Sequence, residues 1–541
     1  MLPQIIMTVK GVILLTGGVY GFAALLRRED AQWVRGAPLK LLVGLFLIGM
    51  WGHTVWVPWL AVMLAIPLLS KSRADAAALY LVAIASLPVL YNKVAVGGLY
   101  LFPFTKYLFA ALGLIIAYLV KPGSRLALKS RFDIPLLLVL LLELAAARDP
   151  NITEMMRQAM PVLLNTAVPY FLVTRVLNGP EDLRRFVLAL GLVGFTLAIV
   201  ATVESRTHWL LYKQMEGYLH IQSTVNAFAQ IRGGVMRAPT SFAESTSFGN
   251  FLALAAVAIV ALRSSFATKW KWQVALAVLL VGLIAPNSRG AYLGVAIGLI
   301  LFDFYRNRWG PLFTKLGAGA MLYVVLLGLS SFSQFAAEMV GKGAASKGST
   351  DYRVQLFQRG LQEIHKHPLF GQPMKTALVN LEDMRQGEHI IDLVNGYITY
   401  GLSLGYTGML CLMMVFLTLC GAMLSVRRKL AASPMMLDFA GFVFAVSGFM
   451  MPVVAFTTFG GEGSTYFFMA CAIGSVLWAM RHSPQLHHGS VAGASRGAAP
   501  SAIRAMIEAD RAAALARRRP GGEAPHPDEE VAATREAAGA K

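Results

Sequence analysis

Fifteen continuous apolar runs set what this chain of 541 residues can fold into: near 5–26, 39–52, 54–69, 76–91, 103–120, 132–147, 159–176, 186–203, 244–262, 273–286, 290–304, 315–332, 396–424, 439–456 and 465–480. A helix crosses a bilayer with about 20 mostly apolar residues. The 56% of residues that are apolar fill about 12 to 15 such spans and leave little for a soluble core. Charged residues make up 14%, against about 25% in soluble domains. A soluble enzyme, a disordered chain and a disulfide scaffold are thereby excluded. The runs are continuous and not alternating, which argues against a β-barrel. The expected fold is an all-α polytopic membrane protein of about 12–15 transmembrane helices with a large, partly helical periplasmic loop. The first run lacks a small-residue cleavage site and reads as a retained span.

The chain carries 48 Lys+Arg against 29 Asp+Glu, a net charge of +19. The basic residues lie in short clusters between apolar runs, which points to cytoplasmic loops and away from nucleic acid. Such clusters are Lys121–Arg131, Arg175–Arg185, Arg263–Lys271, Arg306–Lys315 and Arg427–Lys429. The intervening loops, 204–243 and 333–395 among them, are expected outside; the larger balances seven basic against seven acidic residues. The expected organisation is N-terminal spans at 1–203, a first outside loop with central spans at 204–332, a large periplasmic loop at 333–395, C-terminal spans at 396–480, and a mostly disordered cytoplasmic tail at 481–541 with a short helix at 501–519. Cys411, Cys420 and Cys471 fall in spans without metal-ligand spacing and suit packing. No metal or cofactor is expected.

Four stretches carry polar groups where loops meet spans. The first runs from Arg237 through Pro239 and Glu244 to Phe251; a helix starting beside Arg232 and Arg237 is an anion site, and Glu244 either pairs with an arginine or acts chemically. The second is the Asn287-Ser288-Arg289-Gly290 turn between two spans, whose arginine needs an anion, a carbonyl or a headgroup. The third is a helix expected from about 351 to 366, capped by Ser349 or Thr350 and stopped by Pro368. Arg353 projects into the middle of its apolar face (Tyr352, Leu356, Phe357, Leu361, Ile364), so it pairs internally or binds a ligand; Arg359 lies at the edge, within pairing distance of Glu363. The fourth is Glu388, His389, Asp392 and Asn395. If a span begins near 390, Asp392 and Asn395 share a face and the cluster can supply a general base; helix capping is the plainer alternative. Glu143 and Asn165 lie inside spans and suit pairing across helices.

The order of these features resembles the bacterial O-antigen ligase and polysaccharide polymerase superfamily. The resemblance rests on Arg237 to Phe251, the Ser-Arg-Gly turn at 288–290, Arg359 to Gly371 with its His-Pro-Leu-Phe-Gly, Val394-Asn395-Gly396-Tyr397, and the Gly-Tyr-Thr-Gly turn at 405–408; it covers roughly 230–425. It implies an inner-membrane glycosyltransferase that works at the periplasmic face without a nucleotide sugar. The donor would be a glycan on undecaprenyl diphosphate, and the acceptor a lipid-linked repeat unit or lipid A-core. Arg232, Arg237, Arg289, Arg353, Arg359 and Asn395 would hold the diphosphate or substrate, and His389, Glu244 or Asp392 would activate the acceptor hydroxyl. Ligases carry a His-Asn pair where this chain has Val394-Asn395, and Ser241 to Ser245 looks more like polymerases. The expected activity is therefore polymerisation of exopolysaccharide or O-antigen repeat units. The rivals are a ligase acting on lipid A-core or protein and, in another class, a transporter or flippase.

Overall fold

The computed structural model describes residues 2–481 except 91, 97–98, 124–131, 150, 222–230, 233–234 and 386–390. His389 and the tail, with its expected helix at 501–519, lie outside the described residues. Helix accounts for 79% of the structure and strand for 2%, so the chain is an all-α polytopic membrane protein. Among the described residues eight helices are long and apolar enough to cross a membrane: Leu2–Leu25, Arg28–Trp51, Ile152–Val176, Pro180–Thr207, Trp309–Leu329, Gly396–Leu430, Pro434–Phe456 and Glu462–Met480. Shorter apolar helices such as Trp56–Leu69, Lys106–Val120 and Ser245–Ala261 pack among them.

The two ends of the bundle differ in chemistry. Helix Ser245–Ala261 begins beside Glu244 and ends before Arg263, about 25 Å away at 1.5 Å per residue. At the far end the basic clusters meet buried acids: Arg263 and Arg306 both pair with Asp438 (2.8 and 3.2 Å), Arg184 pairs with Asp30 (2.5 Å), and Lys315 pairs with Asp303. At the near end lie the 237–244 segment, the 285–290 turn and the loop helix Ala344–Lys366. Helix Pro180–Thr207 runs between the two through the centre of the bundle. Its Gly194 lets Ala255 approach closely enough that an added Cβ would sit 2.4 Å from the Ala255 Cβ, the small-residue packing that membrane helices rely on.

Two expectations about helix starts need correction. The loop helix begins at Ala344 with Gly343 as its N-cap, not near 351, so Ser349 and Thr350 lie inside it. Gly341, at φ +86°, turns the chain there, and helix then propagates through the polar residues up to 350. It ends at Lys366, ahead of Pro368. The span expected near 390 begins at Gly396: Asn395 is in extended conformation and its side chain accepts from the amides of Tyr397 and Ile398. Asp392 and Asn395 therefore do not share a helix face. A capping asparagine favours non-helical backbone, which sets the boundary there.

The loop helix is clamped to the membrane helices through glycines. Gly371 (φ +60°) and Gly405 (φ +66°, ψ −164°) sit where an added Cβ would lie 2.4 Å from Ser403 C and from Pro368 O respectively. The Tyr406 amide donates to Pro368 O (2.7 Å) and the Gln372 amide to Leu402 O (2.9 Å). The His-Pro-Leu-Phe-Gly and Gly-Tyr-Thr-Gly stretches thus meet backbone to backbone at a kink in the span. Leu356, Ile364, Ala377, Leu381, Ile398 and Leu402 form the apolar core beneath them.

Candidate active site

The 285–290 turn is the floor of the site. Asn287 adopts the left-handed conformation (φ 47°) that asparagine tolerates better than most residues. Its side-chain amide donates to Arg232 O (3.1 Å), in the two-residue hairpin Ile231–Arg232 with Val235–Met236. The Ala238 amide donates to Ala285 O (3.1 Å), and Arg237 Nε donates to Pro286 O (3.0 Å). The turn therefore holds Arg232 and Arg237 in place and presents Arg289 at a helix start, where the backbone amides add positive potential.

The next segment is pinned by two buried carboxylates. Glu204 accepts from the Leu211 and Thr240 amides (2.8 and 3.2 Å). Glu462 accepts from the Ala243 amide (2.6 Å), Tyr107 OH (2.8 Å) and Lys106 Nζ (3.1 Å). Lys106 is 1% exposed and also donates to Leu87 O (2.7 Å). Ser241 Oγ donates to Ala85 O (2.5 Å). Residues 238–243 are thus fastened at four points, and Glu244 follows directly. Glu204, Lys106, Tyr107 and Glu462 escaped the sequence reading; the available signal was a lone charge at the edge of an apolar run.

These elements enclose a cavity of about 500 Å³ lined by Arg232, Arg237, Glu244, Arg289, Arg353 and Asp392, with Tyr352, Val394 and Thr457–Thr458. Four arginines from four different elements converge. Among the described residues Arg232, Arg289 and Arg353 have no carboxylate within ion-pairing distance, and Arg353 Nε is buried without a hydrogen-bond partner. Burial, then Arg232 and Arg353, pushes Arg237 down to about 10; it remains charged at neutral pH. Burial, then Arg289 and Arg232, lowers Arg353 as well. Glu244 opens to the cavity's water yet is walled by protein, and this desolvation, with Asp392 and Glu462, raises its carboxyl above the usual range. It accepts from Thr246 Oγ1 (3.1 Å), and no arginine pairs with it within 4 Å among the described residues. Tyr352 OH donates to Asp392 O and accepts from the Asp392 amide (3.1 and 3.0 Å), holding that segment at the rim.

A second, largely apolar groove of about 580 Å³ joins this cavity, lined by Leu293, Val354, Phe357, Ala455 and Phe456 and by Asn395. Arg289, Gly290, Arg353 and Phe456 belong to both. Phe357, expected on the packing face of the loop helix, faces this groove at 47% exposure, whereas Leu356 is fully buried. The helix therefore has two apolar faces, and Arg353 belongs to the groove side. Arg359 is not brought to the site. It is exposed and bidentate to Asp383 (2.7 and 3.0 Å), while its expected partner Glu363 bonds Lys366, Gln372 and Asn380. Among the described residues no cluster of three or more metal-binding side chains occurs.

No curated protein matches the chain. Residues 274–413 match the family model described as O-antigen ligase, a stretch that contains Arg289, Arg353, Asp392 and Asn395 but not Arg232, Arg237 or Glu244. The match and the apolar helices point to a multi-pass protein of the bacterial inner membrane and to a membrane enzyme of the glycosyltransferase type, concerned with polysaccharide or O-antigen assembly. Over this stretch the chain is similar to the O-antigen ligase family.

Proposed function

We propose that the chain transfers glycan from undecaprenyl diphosphate at the periplasmic face, polymerising repeat units without a nucleotide sugar. The observation that carries this reading is the convergence of Arg232, Arg237, Arg289 and Arg353 on a cavity that opens into an apolar groove. Such a site matches an amphipathic lipid diphosphate: the arginine forks hold phosphate oxygens, and Leu293, Val354, Phe357 and Phe456 take the start of the isoprenoid. The acceptor hydroxyl oxygen attacks the anomeric carbon, the bond from that carbon to the phosphate oxygen breaks, and the hydroxyl proton passes to Glu244 or Asp392. The lipid diphosphate leaves as an anion whose added charge the arginines neutralise, the kind of stabilisation that dominates many transfer reactions. Val394 lines the cavity where the ligase pattern carries histidine, and this supports polymerisation over ligation.

The test is complementation of a deletion host with wild type or with Arg237→Ala, Arg289→Ala or Arg353→Ala at matched expression, with lipid-linked and exported glycans resolved by size. Single repeat units in place of long polymer are expected. Arg359→Ala serves as the control and should complement fully, because its pair with Asp383 is exposed and screened by solvent. Normal-length polymer retained on the lipid carrier would mean a ligase, and unchanged glycans would remove the glycosyl-transfer reading.

A further inference from the structure

A third cavity, of about 200 Å³, lies beside the arginine site and shares none of its residues. Its polar lining includes Glu143, Asn165, Thr166, Thr399, Tyr400 and Ser403. So dense a set of hydroxyl, amide and carboxylate groups is costly among membrane helices unless it is used. The groups are held in place but not saturated. Glu143 accepts from Tyr400 OH on one oxygen and from Thr166 Oγ1 (3.1 Å) on the other, leaving lone pairs on both. Asn165 Oδ1 accepts from Thr465 Oγ1 (3.1 Å), and its NH2 makes no hydrogen bond among the described residues. Ser403 and Thr399 donate to the carbonyls of Thr399 and Asn395 (both 3.0 Å) and keep acceptor capacity. Asn165 and Thr166 come from a π-helix, Leu163–Leu172, a geometry that concentrates at functional sites.

We infer that this cavity binds a neutral sugar ring of the acceptor glycan, next to the diphosphate site. Among the described residues no cationic side chain lines it, so it does not suit phosphate. Acceptors on Glu143, Thr399 and Ser403 with a donor on Asn165 match a polyol. The rings of Tyr400 and Phe459, 6.1 Å apart, offer an electron-rich wall to sugar C–H groups. The strap between the two cavities is thin: Thr458 lines one and Gly460 the other, at most about 7 Å of chain apart. A Cβ at Gly460 or Gly461 would meet nothing within 4 Å, so the strap presents no side chain there, and a glycan of a few rings reaches both sites. This assignment rests on the glycosyl-transfer reading.

The test uses Ser403→Phe, which fills the cavity, and Asn165→Leu and Thr399→Val, which remove polar groups at nearly constant volume. Each full-length variant is scored for polymer in the deletion host and, after purification, for binding of farnesyl diphosphate as the donor probe. The expected result is a fall in polymer of about tenfold or more for Ser403→Phe, and about threefold to tenfold for the other two, with farnesyl diphosphate affinity held within about twofold of wild type. Undiminished polymer from Ser403→Phe would overturn the assignment. So would loss of farnesyl diphosphate binding in the near-isosteric Thr399→Val, which would make the cavity part of the bundle's support. Arg289→Ala is run in parallel: if it still makes polymer, the glycosyl-transfer reading fails on its own, whatever the cavity variants do.

Discussion

Replacing Arg353 with methionine should move folding stability and activity in opposite directions. Arg353 Nε is buried without a partner among the described residues, and Arg289 and Arg232 disfavour its charge. A buried polar group left unsatisfied costs about 1–3 kcal/mol. Methionine keeps most of the apolar stem beside Val354 and Phe357 and removes that cost. The protein free of lipid diphosphate should therefore gain about 1 kcal/mol, a rise in Tm of a few degrees at most. Its activity should fall. A hydrogen bond to a charged group contributes about 1.5–3 kcal/mol, and at 1.4 kcal/mol per decade this is a loss of about 10- to 150-fold. Relief of repulsion among the remaining arginines places the expected value in the lower half of that range. Thermal unfolding in nanodiscs without donor, paired with elongation rates at equal protein, measures both quantities. Arg353→Lys restores charge without the planar fork and should fall between. A methionine variant that melts earlier and elongates normally would refute the argument, because Arg353 would then be a structural residue.

Three further outcomes follow from the same geometry. Glu244 ionises above its ordinary 4.5, so elongation should fall as pH drops through that raised value, and Glu244→Gln should be slow at every pH. Because the folded carboxyl holds its proton to higher pH than the unfolded one, its contribution to stability is present below 4.5 and lost as pH rises through the folded value; Glu244→Gln should thus match wild-type Tm near pH 4 and exceed it at pH 8. Gly405→Ala puts a side chain into a region reserved for glycine, at about 1–3 kcal/mol, and against Pro368 O at 2.4 Å, so limited proteolysis of the 341–395 loop should accelerate while the bundle stays intact; unchanged cleavage would contradict the clamp. Glu462→Ala strands Lys106, 1% exposed, at about 3–5 kcal/mol, whereas Lys106→Met leaves Glu462 its bonds from Tyr107 and Ala243, so the first variant should accumulate far less than the second in membranes.

The spans were legible because a bilayer demands long apolar runs whatever the tertiary packing. Arg232, Arg237, Glu244, Arg289, Arg353 and Asp392 were legible as charges stranded between such runs, and the structure gathers all six in one cavity. Periodicity set Arg353 at the centre of the apolar face and Arg359 at its edge, yet both stood as substrate-binding candidates. They lie on one helix six residues apart, and the difference is that Asp383, 24 positions away, folds back onto Arg359. Helix periodicity states which face a residue occupies; it does not state what another segment brings to that face. The same limit hid Glu204 and Glu462, whose partners are backbone amides 36 and 219 positions distant.

The motifs behind the family resemblance divide physically into two kinds. Arg237, Arg289 and Glu244 face the cavity, so substituting them should change chemistry at little cost to the fold. His367 to Gly371 and Gly405 to Gly408 face each other across a backbone contact that admits no side chain at Gly371 or Gly405. Their task is to hold the loop helix at a fixed height above the span, and that height sets whether Arg353 meets Arg289. The apolar groove runs between those two helices, since Leu293 lies one turn along from Arg289 and Phe357 one turn along from Arg353. On the proposed function, a lipid tail entering there passes between the same pair of arginines proposed to hold the diphosphate. Loosening the glycine clamp should therefore weaken binding of a long-chain lipid diphosphate more than that of inorganic diphosphate, because the cation cluster is assembled from several elements while the groove exists only when these two helices are in register.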